Sequence, residues 1–148
     1  MKWLLDSNVV SEMVRPRPNR NVLRWLADRP EEQTAISAIT MAELRYGAMA
    51  THDETRRVEL TRWIEDQMAP TFQSRTLVPD VDILIEWIDL MKRISASRHS
   101  RLAIDLLIAA TAQVHELILV TRNVRDYAGT GVTIFDPWLN ETHTMERL

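Results

Sequence analysis

Short apolar runs, separated by segments with helical spacing, constrain the fold of this chain most strongly. Runs of this length between helices are typical of strands buried in a mostly parallel sheet. Right-handed crossovers then place helices on both faces of the sheet. We therefore predict a three-layer α/β/α sandwich with about five mostly parallel strands, at residues 3–5, 34–37, 76–78, 117–121 and 132–137.

Length and charge narrow the class of protein further. With 148 residues, the chain suits a single domain over residues 1–148. A net charge of −3 argues against a broad basic surface for nucleic acid, so any such binding has to be local or assisted by a metal. The absence of cysteine excludes a disulfide framework and thiol chemistry.

Location is predicted from the apolar runs and the first residues. No apolar run approaches the about 18 residues that a membrane span needs. Asp6 comes too early for the apolar region of a signal peptide. We expect a cytoplasmic protein that makes no contact with a membrane.

Asp105 is the anomaly in the chain. It is the one carboxylate in residues 101–112, a predicted helix that is apolar on nearly every side. Such a helix belongs in a core, where an ionised carboxylate is unfavourable unless donors or a cation meet it. In one interpretation, Ser100 caps the helix and Asp105 faces the free N–H groups of the first turn. In the other, Asp105 projects into a polar cleft that contains further acids.

Three further acids have a route to such a cleft. Asp6 follows the first predicted strand, Glu43 lies early in the helix after the second, and Asp126 lies in the polar segment after the strand at 117–121. Ligands of parallel sheets collect beyond the carboxyl ends of the strands, where we expect these acids to meet. Simpler roles stay open, because Asp6 could cap the next helix and Glu43 has the capping-box spacing from Thr40.

Four carboxylates at one place need a cation, because they otherwise raise one another's pKa and repel. Hard oxygen ligands without His or Cys favour Mg²⁺ or Mn²⁺, which keep open positions for water and a substrate phosphate. A phosphodiester is then the natural substrate, because such a metal activates water and stabilises the leaving oxygen.

Four segments surround these acids: LLDSNVVSE at 4–12, ITMAELRYG at 39–47, DLLIAATA at 105–112 and LVTRNVRDY at 119–127. In this order they resemble the motifs of PIN-domain ribonucleases. The resemblance covers essentially the whole chain and includes the VapC-type toxins of bacterial toxin–antitoxin pairs, with their FitB and plasmid-stability branch. It implies a PIN-like fold and an endoribonuclease activity.

The resemblance assigns the acids as metal ligands. Asp6, Glu43 and Asp105 match the family's metal-binding and catalytic acids, and Mg²⁺ or Mn²⁺ is the implied cofactor. Asp126 is aligned as the fourth catalytic and metal-binding acid, although many relatives place an acid where this chain has Asn123.

The resemblance also assigns residues around the acids. Thr121 matches the position whose hydroxyl braces the first acid. Ser7 stands where Thr is more usual, and it keeps the hydroxyl. Independently of the resemblance, residues that flank the acids in the sequence are predicted to orient them or to contact RNA phosphates, namely Asn8, Asn123, Arg98, Arg101, Arg122 and Arg125, with Lys92 or Arg93 as weaker candidates. Solvated, solubilising charges are the alternative interpretation of these cations.

A small antitoxin is the partner that the resemblance implies, with a homodimer inside a hetero-oligomer and DNA contacted only through the antitoxin. Bulky apolar residues offer the antitoxin a groove unless they fill the chain's own core: Met41, Leu44, Tyr46, Met49, Val58, Trp63 and Ile64. A second stripe is predicted to serve the homodimer: Ile83, Trp87 and Met91.

Two other phosphate-handling folds fit the motifs poorly. A phosphoacceptor receiver domain needs a second acid beside Asp6 and a late lysine, whereas the chain has Ser7 and Arg122 there. A haloacid-dehalogenase-type phosphatase needs an acid where Asn8 stands. The remaining alternative is a catalytically silent PIN-like scaffold that only binds a partner.

Overall fold

The computed structural model describes residues 1–94 and 101–148, except for the side chains of Arg101 and Leu102. Its strands are β1 (Trp3–Leu5), β2 (Thr34–Ser37), β3 (Thr76–Leu77), β4 (Ile118–Val120), β5 (Thr133–Asp136) and β6 (Glu141–Thr144). They form one sheet in the order β3-β2-β1-β4-β5-β6. The first five are parallel, and β6 is antiparallel to β5. The predicted α/β fold with a mostly parallel sheet is confirmed.

Helices connect and cover the strands. They are α1 (Ser7–Ser11), α2 (Arg20–Ala27), α3 (Ala38–Met49), α4 (Glu54–Trp63), α5 (Ala69–Thr71), α6 (Val81–Arg93) and α7 (Arg101–Val114), with a π turn at Ile64–Met68 between α4 and α5 and a 3₁₀ turn at Val124–Tyr127. No helix in the described part of the chain is both long and apolar enough to cross a membrane.

Two apolar cores lie on opposite faces of the sheet. Leu4 and Leu119 belong to the core that includes residues of α6 and α7. Their neighbours Leu5 and Val120 belong to the core that includes residues of α1, α2 and α3. Successive side chains of a strand point to opposite faces, so the short all-apolar strands follow from burial on both sides.

The expectation that no strand follows residue 137 was wrong. Residues Glu141–Thr144 form β6, which pairs with β5 across a tight turn in which Asn140 has φ 56°. Asparagine tolerates this left-handed conformation better than most residues. The strand is polar and largely exposed, so it lacks the apolar pattern by which the other strands were predicted. The sheet therefore has six strands rather than about five.

The capping-box role for Glu43 was also wrong. Helix α3 begins at Ala38, and the Ser37 side chain accepts a hydrogen bond from the N–H of Ile39 as its N-cap. Thr40 lies inside the helix and is fully buried. Because the N-cap is three residues earlier than expected, Glu43 does not take part in capping the N-terminus of α3.

Parts of both predicted interaction surfaces lie in the cores. Met41 and Ile64 are buried, whereas Tyr46 and Met49 are exposed on α3. Ile83 is fully buried and cannot contribute to a dimer stripe. The exposed apolar side chains of α6 are instead Val81, Leu84, Ile85, Ile88 and Met91.

Candidate active site

Asp6 lies where the order of the strands reverses. From β1 the chain builds the sheet towards β2 and β3 on one side, and later towards β4, β5 and β6 on the other. Leu5 of β1 pairs with Val120 of β4, so Asp6 and Thr121 leave neighbouring strands at the same edge. The backbone N–H of Asp6 donates to the carbonyl of Val120 at 3.0 Å. Crevices at such reversal points are where parallel sheets bind ligands.

The Asp6 carboxylate is held by donors on both oxygens. Oδ2 accepts from Thr121 Oγ1 at 2.7 Å, from Asn8 Nδ2 at 3.3 Å and from the Tyr127 hydroxyl at 3.3 Å. Oδ1 accepts from the Ser7 N–H at 2.7 Å, so Asp6 also caps α1. The capping role and a role in the site therefore coexist.

The Thr121 hydroxyl donates its hydrogen bond to Asp6. Its Oγ1 accepts from Asn8 Nδ2 at 3.1 Å and from the N–H of Asn123 at 3.1 Å. Both partners are donors, so the hydroxyl proton points to Asp6. This geometry places Thr121 as a brace for the Asp6 carboxylate, the role that the resemblance implied.

Burial raises the pKa of Asp6 above its ordinary value of 3.8, although hydrogen bonds from Thr121, Ser7 and Tyr127 oppose the shift. Asp6 is 5% exposed. Among the described residues, no lysine or arginine forms an ion pair with it. A desolvated carboxylate of this kind favours a bound cation.

Three of the predicted acids line one cavity of about 520 Å³. Asp6 reaches it from the end of β1, Glu43 from α3 and Asp105 from α7, and Asn123 lines the same cavity. Asp105 is half-buried and Glu43 is exposed. Asp105 lies beyond the first turn of α7, which contains no acid. Ser100, the predicted N-cap of this helix, lies outside the described residues.

Asp126 lines a different cavity, of about 530 Å³, together with Arg122, Arg125 and His143. Asn123 lines both cavities, so the two adjoin there. Arg98 lies outside the described residues, as does the side chain of Arg101.

The other predicted phosphate contacts lie in different surroundings. Arg122 and Arg125 are exposed, and the Arg122 guanidinium lies 5.5 Å from the centre of the Trp138 ring. Arg93 pairs with Asp89 at 2.7 Å. Neither Lys92 nor Arg93 lines the two cavities described above.

Tyr127 is a site residue that sequence reasoning missed. It is 1% exposed, and the charges of Asp6, Asp105 and Glu43 help burial to raise the pKa of its hydroxyl well above 10.0. The charges of all three acids therefore act on one hydroxyl, and Asp6 is the acid that contacts it. The sequence signal was an aromatic residue in an otherwise polar segment, because a buried tyrosine needs a partner for its hydroxyl.

The donor set fits a hard divalent cation. Carboxylates and an amide oxygen are the ligands that Mg²⁺ and Mn²⁺ prefer. Within the described residues, no three acidic or histidine groups lie close enough to form a ready-made metal cluster. Mg²⁺ commonly binds through one or two carboxylates and keeps several waters, so a looser arrangement of acids suits it.

Asp6→Asn is expected to change how stability depends on pH in EDTA. The folded protein binds a proton at Asp6 more tightly than the unfolded chain, because the folded-state pKa is raised. The contribution of Asp6 to stability is therefore lost as pH rises from 3.8 through the folded-state pKa. Urea unfolding of the variant and wild type should show a difference in unfolding free energy that moves in favour of the variant over this window.

Asp126→Asn is the matched control for this experiment, because Asp126 is exposed and outside the Asp6 network. A difference between Asp6→Asn and wild type that stays constant with pH would contradict the raised pKa.

The chain is similar to known proteins over most of its length. The PIN domain family matches residues 3–128. The VapC ribonuclease Y4jK of Sinorhizobium fredii is 35% identical over 135 residues, which cover 91% of this chain and 96% of that protein. A structure of FitAB bound to the IR36 DNA fragment is 32% identical, covers 95% of this chain and 99% of that chain, and has a TM-score of 0.85. A toxin–antitoxin complex from Klebsiella pneumoniae is 31% identical, covers 92% of this chain and 98% of that chain, and has a TM-score of 0.61.

Proposed function

Because this chain belongs to the PIN-domain family, we propose that it is an Mg²⁺- or Mn²⁺-dependent endoribonuclease and the toxin of a toxin–antitoxin pair. One observation carries the proposal: Asp6, Glu43 and Asp105 line a single cavity at the strand-order reversal. The name of the VapC ribonuclease supports the activity. The toxin–antitoxin complex supports the biological role.

Asp6, Glu43 and Asp105 are the proposed ligands of the metal. Asn123 takes the fourth position rather than Asp126, because Asn123 lines the cavity of the three acids. A bound divalent ion would supply a Lewis acid and a hydroxide nucleophile near neutral pH. The chain's own part is to hold the acids in place: Thr121 and Asn8 fix the orientation of Asp6.

RNA phosphates are proposed to contact the cations beside the cavity. Arg122 and Arg125 line the adjoining cavity and are exposed, so both are accessible to a polyanion. The same role is proposed for Arg98 and Arg101, because they lie close to Asp105 in the sequence. Since the net charge is −3, binding through a few local cations and a metal is the consistent arrangement.

An antitoxin is the proposed protein partner, and apolar residues of the acid cavity are its proposed contact. Leu44, Leu60 and Trp63 are among the residues that line this cavity. The exposed apolar side chains of α6 are the proposed homodimer surface, with Ile85 and Ile88 in place of the buried Ile83. DNA is then reached through the antitoxin, because this chain lacks the positive charge for direct binding.

A metal titration and an RNA cleavage assay test the activity. Calorimetry should show Mn²⁺ binding to the wild-type protein, and single-stranded RNA should be cleaved with Mn²⁺ or Mg²⁺ but not in EDTA. Cleavage that persists in EDTA after nuclease-free purification would contradict the proposal. A silent scaffold, the alternative function, would show neither metal-dependent cleavage nor a need for the acids.

A further inference from the structure

We propose that Tyr127 is a positioning residue that turns Oδ1 of Asp6 towards the metal. The inference rests on the proposed function and extends it to a residue outside the acid set. It stands on the geometry of the Asp6 carboxylate and on the anchoring of the Tyr127 ring.

The two oxygens of Asp6 are used unequally. Three side-chain groups converge on Oδ2, from Thr121, Asn8 and Tyr127. Among the described residues, only Ser7 donates to Oδ1, by its N–H at 2.7 Å and by its hydroxyl at 3.5 Å, the limit of a hydrogen bond. A carboxylate oxygen has about two lone-pair sites, so three donors fill Oδ2, whereas the Ser7 hydroxyl can rotate away and leave a site on Oδ1. A cation at Asp6 would therefore be held through Oδ1.

Ser7 and Asn8 follow Asp6 directly in the chain, so their hydrogen bonds hold the carboxylate only relative to its own segment. Thr121 holds it from a neighbouring strand end. A second donor from outside residues 6–8 limits rotation of the carboxylate about the Thr121 hydrogen bond. Tyr127 supplies that donor from the 3₁₀ turn Val124–Tyr127, at 3.3 Å.

The Tyr127 ring is anchored well enough to act as such a stop. It is 1% exposed and belongs to the apolar core that contains Leu4 and Leu106. Its carbonyl accepts from the Thr130 hydroxyl at 2.6 Å and from the Thr130 N–H at 3.2 Å. A rigid ring with one polar atom on the acid is typical of groups that orient metal ligands.

Calorimetry of Mn²⁺ binding to Tyr127→Phe tests the inference. The variant removes only the hydroxyl, and we expect roughly 10-fold weaker binding, the effect of losing a group that orients a ligand. Tyr46→Phe is the matched control, because Tyr46 is 71% exposed on α3. A purely structural role would lower the unfolding midpoint in EDTA and leave the Mn²⁺ affinity unchanged, and this result would overturn the inference.

A second measurement does not depend on metal or on cleavage. In EDTA, the carbon-13 resonance of the Asp6 carboxyl, assigned by its loss in Asp6→Asn, should move in Tyr127→Phe and stay in place in Tyr46→Phe. An unmoved resonance would overturn the inference, also if Tyr127→Phe were too unstable for calorimetry. If the wild type bound no Mn²⁺, the proposed function would fail, while this resonance would still decide whether Tyr127 holds Asp6.

Discussion

Asp105→Asn is expected to abolish RNA cleavage and to weaken Mn²⁺ binding by more than about 100-fold, because even groups that only orient a metal ligand contribute 10- to 100-fold. The substitution keeps the size of the side chain and removes the charge that α7 brings to the cavity. Cleavage of a fluorescent single-stranded RNA and calorimetry with Mn²⁺ measure the two effects. Near-wild-type cleavage by the variant would remove Asp105 from the metal site.

Asp126→Asn is the matched variant for this experiment. It is the same substitution at an exposed acid close in sequence, on the adjoining cavity. We expect it to lower Mn²⁺ affinity by less than the about 10-fold that loss of an orienting group causes. If Asp126→Asn lost as much affinity as Asp105→Asn, the fourth ligand would be Asp126 rather than Asn123.

The parts of the fold that are buried on both sides could be predicted from the sequence. Strands β1 and β4 are short and wholly apolar because both faces of the sheet are covered. Their pairing then places Asp6 beside Thr121, since residues after paired parallel strands leave the sheet together. The position of Asp6 at the carboxyl end of a central strand could therefore be predicted from the pattern of buried residues.

Features that are exposed, or that depend on local contacts, were harder to predict from the sequence. Strand β6 carries polar residues on both faces, so no apolar pattern marks it, and pairing with β5 decides its conformation. The start of α3 depended on which of two hydroxyl residues acts as cap, and Ser37 does so because the chain leaves β2 there. A choice between two equally suitable side chains needs the tertiary structure.

The same limit applies within the candidate site. Asn123 and Asp126 both follow β4, and spacing does not tell which one faces the acids. The 3₁₀ turn Val124–Tyr127 carries Asp126 to the adjoining cavity and Tyr127 inward to Asp6. Side-chain directions in such a turn follow from packing of the tyrosine ring in the core rather than from sequence periodicity.

Binding of the proposed antitoxin is expected to have the second large effect, the suppression of RNA cleavage. The acid cavity continues between α3 and α4, where Leu44, Gly47 and Leu60 line it. A partner segment lying in this part of the cavity would be next to Glu43 and would obstruct the approach of RNA. Because these apolar residues and the acids line one cavity, a partner segment bound to the apolar residues is expected to suppress catalysis at the acids.

Gly47→Leu is expected to release this suppression. A Cβ atom at Gly47 meets nothing within 4 Å, so the fold accepts a side chain that fills the cavity. Wild type co-expressed with the proposed antitoxin should purify as an inactive complex, whereas Gly47→Leu should lose most of the partner during purification. Gly47→Ala is the control, since it adds one methyl group and raises helix propensity by about 1 kcal/mol. Retention of Mn²⁺ affinity in Gly47→Leu would show that the acids are intact. Equal retention of the partner by Gly47→Leu and wild type would place the antitoxin elsewhere on the surface.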